Sequence, residues 1–186
     1  MSIIEWAAAG ISLVAVLAAV YRSIATFLFG IAGAALYGLV FFDANLYANA
    51  ALQLFFIAVL IEGWRHWRRN ADDAGEVEPR RLAPHQVRQA LTAVTAAVML
   101  IGTALSLFTN SPAPLTDAAA SGLALVAQLL QARRFIENWV LWVICNALSA
   151  MLFVSQGLWV TAALYSVFLV LAVLGWRAWS GRLAPR

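Results

Sequence analysis

The chain of 186 residues is 63% hydrophobic and only 11% charged, far from the composition of soluble globular proteins. Its formal charge of +3 comes from twelve Arg, without any Lys, set against nine acidic residues. The single Cys, Cys145, excludes a disulfide within the monomer and a cysteine cluster for a metal. The apolar residues come in runs near the roughly 20 needed to cross a bilayer. The sequence therefore predicts an all-α polytopic membrane protein.

Seven apolar segments are predicted to be transmembrane helices joined by short connections. The predicted spans are residues 3–20, 24–42, 45–64, 87–108, 115–132, 137–154 and 158–176. No basic residue precedes Arg22, so we interpret the first span as a retained helix and not as a secretory signal peptide. Residues 65–88 form the one hydrophilic stretch, and we interpret residues 68–86 within it as a cytoplasmic linker.

The distribution of Arg predicts the orientation in the membrane. With the amino terminus outside, all twelve Arg fall in cytoplasmic segments: the turn at Arg22, residues 65–88, the turn at Arg133 and Arg134, and the segment from Arg177 onward. Cytoplasmic loops are enriched in basic residues in this way. We expect a multi-pass protein of the bacterial inner membrane with a cytoplasmic carboxyl terminus. The basic excess follows from topology, which excludes nucleic acid as a partner.

An internal repeat predicts the architecture. A shift of 112 positions places Gly63-Trp64-Arg65 on Gly175-Trp176-Arg177 and Trp67 on Trp179. Two halves of three helices have the same orientation only if one helix lies between them, which predicts a three-plus-one-plus-three parallel repeat with a pathway at its axis. The expected parts are the first repeat 1–67, the linker 68–86, a connecting helix 87–108, the second repeat 115–179 and a cytoplasmic tail 180–186.

Polar and aromatic residues recur at helical spacing on four predicted spans, where they would share one face of each helix. They are Asn49 and Gln53 on the third span, Asp117, Ser121, Gln128 and Gln131 on the fifth, Trp139, Trp142, Asn146 and Ser149 on the sixth, and Thr161 and Tyr165 on the seventh. For any single residue, a hydrogen bond between neighbouring helices is an equally good explanation. For the whole set, we favour a cavity for a small molecule.

The residue types favour a flat heteroaromatic ligand that carries hydroxyls or an amide. Trp139 and Trp142 can stack on a ring, and an indole face also attracts a cation. Asn and Gln side chains donate and accept hydrogen bonds, so they recognise a carboxamide or a ribose without requiring a charge. The alternative for this Trp pair is anchoring at the membrane interface.

Other residues at the ends of the spans are expected to have structural roles. For Trp64, Trp67, Trp176 and Trp179, which lie beside Arg at span ends, we favour the interfacial belt. Glu62 and Glu137 are expected to pair with nearby Arg, which makes Glu137 a weak site candidate. Glu5 and Asp117 lie near the outer ends, where we expect structural or entry roles.

Enzyme classes find no support in the sequence. Both His, His66 and His85, fall in the hydrophilic segment, away from any embedded acid or nucleophile. There is no Gly-rich phosphate loop with a Lys and no acid in the middle of a span. We therefore expect no catalysis, no metal and no cofactor.

Two segments resemble a known family. Leu46 to Gln53 with Glu62-Gly63-Trp64-Arg65-His66-Trp67, and Glu137-Asn138-Trp139 with Trp142 and Asn146, are similar to the third-helix and sixth-helix patterns of PnuC-type vitamin transporters. The resemblance implies a SWEET-like fold, a homotrimer, and facilitated diffusion of nicotinamide riboside without ion coupling, followed by trapping through a separate cytoplasmic kinase. It implies binding by Gln53, Trp139, Trp142 and Asn146, with Asn49 and Tyr165 as further candidates. The polar faces of the fifth and seventh spans add Gln128 and Thr161 to the predicted binding residues.

The chain also departs from the family pattern. Asn49 stands where the family usually has Asp, and Phe56 stands where a Tyr is often found. Relatives with this fold carry thiamine, riboflavin or deoxynucleosides, so these remain alternatives to nicotinamide riboside. A membrane scaffold or receptor subunit that does not transport is a further alternative from another class.

Overall fold

Seven α-helices make up the described part of the chain. The structure is a computed structural model that describes residues 3–43, 47–71, 77–108, 114–155, 157 and 159–183. The helices are α1 (Ile3–Val20), α2 (Ala25–Asp43), α3 (Tyr47–Arg68), α4 (Pro84–Phe108), α5 (Pro114–Ala132), α6 (Asn138–Ser155) and α7 (Trp159–Ser180). Within these ranges there is no strand, and only two isolated β-bridges occur. The prediction of an all-α fold with seven helices is confirmed.

Several helices are longer than the predicted spans. Helices α3 and α7 each continue for one further turn, through Arg68 and Ser180. Helix α4 begins at Pro84, three residues before the predicted start, because proline suits the first helical position. The Gln86 side chain accepts a hydrogen bond from the Ala83 backbone N–H at 2.9 Å, which caps this helix.

The outer surface of the bundle is apolar. By length and composition, four helices of the described chain, α4 to α7, can cross a membrane, and α1 and α2 contain shorter apolar stretches at Trp6–Val20 and Ala25–Val40. None of the residues of α4 is buried. Leu100 and Phe108 on this helix are 74% and 83% exposed. Such a surface is stable in lipid and not in water, so the protein is a helical membrane protein.

Six helices surround a central space, and one helix lies outside it. In the described ranges, successive helices α1, α2 and α3 pack on one another, as do α5, α6 and α7. The two groups meet where α3 packs on α5 and where α7 packs on α1. Among the described residues, helix α4 packs only on α5. This order of contacts closes a ring from which α4 is excluded.

Helices α1 and α5 end in the same way. Arg22 and Arg134 follow them with φ of 59° and 64°, and they are the non-glycine residues of positive φ in the described chain. Ser23 N donates to Ala18 O at 2.9 Å, and Phe135 N donates to Leu130 O at 3.0 Å. Both endings are therefore Schellman motifs with Arg in the left-handed position, and each one turns the chain directly into the next helix.

Residues 77–83, the part of the hydrophilic segment just before α4, cross the bundle at these turns. Arg80 N donates to Arg134 O at 2.9 Å, and Ile136 N donates to Arg80 O at 3.0 Å. Glu137 accepts from Leu82 N at 3.2 Å, so this carboxylate fastens the segment. Val77 is 1% exposed. We call this side of the molecule, where α1, α3, α5 and α7 end, the arginine-rich end.

Candidate functional site

A cavity of about 420 Å³ lies inside the ring of six helices. Helices α1, α2, α3, α5, α6 and α7 all contribute to its walls. We call this space the central cavity. Its polar and aromatic lining residues include Ser12, Thr26, Tyr37, Gln53, Phe56, Asp117, Ser121, Gln128, Gln131, Trp139, Trp142, Asn146, Ser149, Phe153, Tyr165 and Phe168. Its size and mixed lining are typical of small-molecule sites.

The structure brings six of the eight predicted binding residues to this cavity. They are Gln53, Gln128, Trp139, Trp142, Asn146 and Tyr165. Thr161 is half-buried but does not line the cavity. The side chain of Asn49 lies outside the described residues. The role of these residues in binding stays a prediction, but most of them share one space.

Four fully buried rings pack together on the side of the arginine-rich end, and one of them, Trp139, lines the cavity. Phe27 and Trp67 meet edge to face with ring centroids 4.9 Å apart, and Trp139 and Trp179 do so at 5.5 Å. Trp67 and Trp179 join the two pairs at 6.0 Å. We call these four residues the aromatic floor. Edge-to-face rings at such distances attract one another beyond the burial of their area.

The aromatic floor corrects one prediction from the sequence. Trp67 and Trp179 were expected in the interfacial belt, but both are 0% exposed. The Trp67 indole N–H donates to Gln131 O at 3.3 Å, and that of Trp179 donates to Ala19 O at 3.0 Å. Burial is possible because each N–H reaches a helix carbonyl. Trp64 is 40% exposed, so a place in the belt remains open to it.

Two glycines allow the rings to approach the helices so closely. A Cβ atom at Gly63 would lie 2.5 Å from the Phe27 ring, and one at Gly175 would lie 2.6 Å from the Trp139 ring. Any larger residue would displace the ring. The Gly-Trp-Arg segments found in the sequence therefore have a packing function at their first position.

Trp142 and Gln131 are held together in the cavity wall. The Trp142 indole N–H donates to the Gln131 side-chain oxygen at 3.0 Å, and this bond fixes the ring plane. Gln128 Nε2 and Trp139 Nε1 are buried donors without an acceptor among the described residues. Unpaired buried donors cost about 1–3 kcal/mol each. A ligand that offers acceptors would recover part of this cost.

A second aromatic group lines the cavity away from the arginine-rich end. Tyr165 lies 5.2 Å from Phe153 and 6.0 Å from Phe168, measured between ring centroids. Neither of these Phe residues was predicted from the sequence to line a cavity, and neither were Tyr37 and Ser12. Tyr37 and Ser12 are isolated among small and apolar residues of α2 and α1, where no repeated polar spacing marks them. Rings at both ends of a polar middle suit a flat ligand.

No metal centre accompanies the cavity in the described ranges, where no group of three or more His, Cys, Asp or Glu could hold an ion. Cys145 is buried and donates to Ala120 O at 3.3 Å. The arrangement can bind and enclose a small molecule. It offers no nucleophile beside a base for covalent chemistry.

A ring of membrane helices around a cavity of this size is an arrangement that transporters of small molecules use. The family model described as nicotinamide mononucleotide transporter matches residues 2–181. The chain belongs to this family, which includes the PnuC-type transporters. Membership of a transporter family implies that the chain is not an enzyme.

Three relatives illustrate the similarity. The nicotinamide riboside transporter PnuC of Escherichia coli (strain K12) is 29% identical, with 85% of this chain and 77% of that protein covered. The riboflavin/roseoflavin transporter RibM of Streptomyces davaonensis is 31% identical, with 76% of this chain and 70% of that protein covered. The crystal structure of the vitamin B3 transporter PnuC matches at a TM-score of 0.76 and 24% identity, over 97% of this chain and 81% of that one. This last likeness shows the shared fold.

Proposed function

We propose that the protein mediates facilitated diffusion of nicotinamide riboside into the bacterial cytoplasm, where a separate kinase traps the product by phosphorylation. The observation that carries the proposal is the central cavity, in which indole rings and amide side chains face one space. The similarity to a nicotinamide riboside transporter supports the choice of substrate. No ion coupling is needed, because phosphorylation removes the free substrate inside the cell.

In this proposal different cavity residues bind different parts of the ligand. The indole of Trp142, fixed by Gln131, stacks on the nicotinamide ring. Gln53, Gln128 and Asn146 bind the carboxamide and the ribose hydroxyls, which need donors and acceptors together. Trp139 and Tyr165 lie on either side of the ligand. Asn49 and Thr161 remain weaker candidates, since neither has been placed in the cavity.

The proposed architecture is a SWEET-like three-plus-one-plus-three parallel repeat of seven transmembrane helices, with the boundaries 1–67, 68–86, 87–108, 115–179 and 180–186. Contacts that recur 112 residues apart support it. Phe27 packs on Trp67 and on Gly63, while Trp139 packs on Trp179 and on Gly175. The turns at Arg22 and Arg134 show the same spacing.

The proposed orientation places the arginine-rich end in the cytoplasm and the amino terminus outside, in agreement with the positive-inside rule. The proposed assembly is a homotrimer in which each protomer has its own cavity. No residue of α4 is buried, and this exposed apolar surface supports burial in lipid or against a neighbouring protomer.

The main alternative is riboflavin, which the similarity to RibM favours. A flavin is also flat and heteroaromatic, so the aromatic residues of the cavity would accommodate it. Thiamine and deoxynucleosides are further alternatives within the same fold. A scaffold without transport is disfavoured, because the buried polar groups of the cavity would then have no ligand.

Calorimetric binding of nicotinamide riboside, thiamine and riboflavin to the purified protein in detergent tests the proposal. We expect saturable binding of nicotinamide riboside with the other two at least about tenfold weaker, a difference of roughly 1.4 kcal/mol. Preferential binding of riboflavin would replace the substrate and keep the class. Absence of binding by all three would contradict the assignment to vitamin transport.

A further inference from the structure

One side chain in the lining of the central cavity carries a formal charge, in so far as the lining is described. This side chain is the Asp117 carboxylate, in the first turn of α5. The other polar groups of the lining are amides, hydroxyls, indoles and a thiol, all of which are neutral at pH 7. The cavity therefore has a net negative charge.

No described residue neutralises this charge. Asp117 is half-buried, and no side chain of the described chain pairs with its carboxylate or donates to it. The described Arg residues lie toward the arginine-rich end, at the opposite end of α5. From Asp117 to Arg133 the helix rises roughly 24 Å, at 1.5 Å per residue. This distance exceeds the screening length of about 8 Å at physiological ionic strength.

The position of Asp117 in the first turn of α5 also has a structural explanation. An acidic residue in the first turn of a helix interacts favourably with the helix dipole. This interaction accounts for an acid at that position, but it does not require the carboxylate to line a cavity whose walls are mostly apolar. An uncompensated charge in such walls acts strongly on a ligand, because little water screens it. The two explanations differ in what they predict for ligands of different charge.

We propose that Asp117 is the counter-charge that makes the central cavity selective for a cationic ligand over its neutral counterpart. The ligand class is an N-substituted pyridinium, whose positive ring is attracted by the carboxylate and by the indole faces of Trp139 and Trp142. The inference rests on the proposed function and adds a specificity-determining residue to it. Riboflavin is neutral and gains nothing from Asp117.

The test compares oxidised nicotinamide riboside, a cation, with its reduced dihydropyridine form, which is neutral and of nearly the same shape. Calorimetry measures the affinity of both for the wild type and for Asp117→Asn. We expect the wild type to prefer the cation by about tenfold. Asp117→Asn loses this preference by weakening the cation alone, and Asp117→Glu retains it.

Glu62→Gln is the matched control, because it removes an exposed carboxylate of α3 that does not line the cavity. Its affinities should equal those of the wild type for both ligands. An equal loss for cation and neutral form in Asp117→Asn, or no loss for either, would overturn the inference while nicotinamide riboside binding stands. If the wild type binds neither form, the proposed function fails and the inference fails with it.

Discussion

At the scale of single residues, the proposed function depends on rings whose positions are fixed by the protein. Trp142 is held through its N–H by Gln131, and Trp139 is held by its contact with Trp179 and the absence of a Cβ at Gly175. A ring held in place before the ligand arrives loses less entropy on binding. This predetermined geometry makes the aromatic residues the best targets for substitution.

Trp142→Ala should weaken nicotinamide riboside binding at least about tenfold, which corresponds to roughly 1.4 kcal/mol. The reason is the loss of the stacking surface, since Trp142 is half-buried at the cavity wall. Calorimetry with the purified variant measures the effect. Trp64→Ala, at a site 40% exposed and outside the cavity, is the control. Unchanged affinity in Trp142→Ala would remove this residue from the site.

Gly175→Ala should destabilise the protein by about 1–3 kcal/mol, the usual cost of overpacking. The added Cβ would lie 2.6 Å from the Trp139 ring, which is buried and packed edge to face on Trp179. Thermal unfolding in detergent measures the change. Gly10→Ala is the matched control, since no atom lies within 4 Å of a Cβ there. Equal unfolding temperatures for the two variants would show that the ring is not confined.

The sequence predicted the lining of the cavity better than its surroundings. Gln128 of α5 and Trp139 and Asn146 of α6 were found because helical spacing places them on the polar face of each helix. Both of these faces line the cavity. Trp67 and Trp179 were misplaced, because Trp beside Arg at a helix end is typical of the membrane interface. Their burial depends on carbonyls of other helices, which no local pattern indicates.

At the scale of elements, two indole hydrogen bonds join the helix groups. Trp67 connects α3 to α5 through Gln131 O, and Trp179 connects α7 to α1 through Ala19 O. These are the two places where the groups α1–α3 and α5–α7 pack on each other. Any change of shape that opens the aromatic floor would have to strain both contacts.

Trp67→Phe and Trp179→Phe should each destabilise the protein by about 0.5–1.5 kcal/mol, because each removes one of the two hydrogen bonds that a helix-end carbonyl accepts. Similar losses in the two variants are expected, since the bonds have similar lengths of 3.3 and 3.0 Å. Thermal unfolding again provides the measurement. Trp64→Phe is the control at an exposed position. A loss in only one of the two variants would argue against equivalent roles.

The positions of the helices were predictable, and the backbone geometry of the turns between them was not. Runs of apolar residues located all seven helices within a few residues, and both ends of α1, α2, α5 and α6 within one residue. The left-handed conformation of the turn after α1 was not predicted, because Arg22 and not the usual glycine occupies that position. Likewise, a hydrophilic composition predicted a linker at residues 68–86 but not the backbone pairing of Arg80 with Arg134 and Ile136.

At the scale of the whole molecule, six helices surround the central cavity, and aromatic side chains line it toward both ends. Composition predicted the membrane environment, because so many apolar residues cannot be buried in a chain of this length. The order of contacts around the ring could not be read from composition, since apolar helices pack on many partners in lipid. The repeat in the sequence was the one indication of that order.

The central claim is that the protein equilibrates nicotinamide riboside across a membrane without an energy source. Uptake of labelled nicotinamide riboside into liposomes containing the purified protein, with no ion gradient, tests this claim most directly. We predict that the internal concentration rises to the external one and stops there. It should exceed that level only when a nicotinamide riboside kinase and ATP are enclosed. Accumulation above the external concentration that requires an imposed ion gradient, or no uptake beyond that of empty liposomes, would contradict the account.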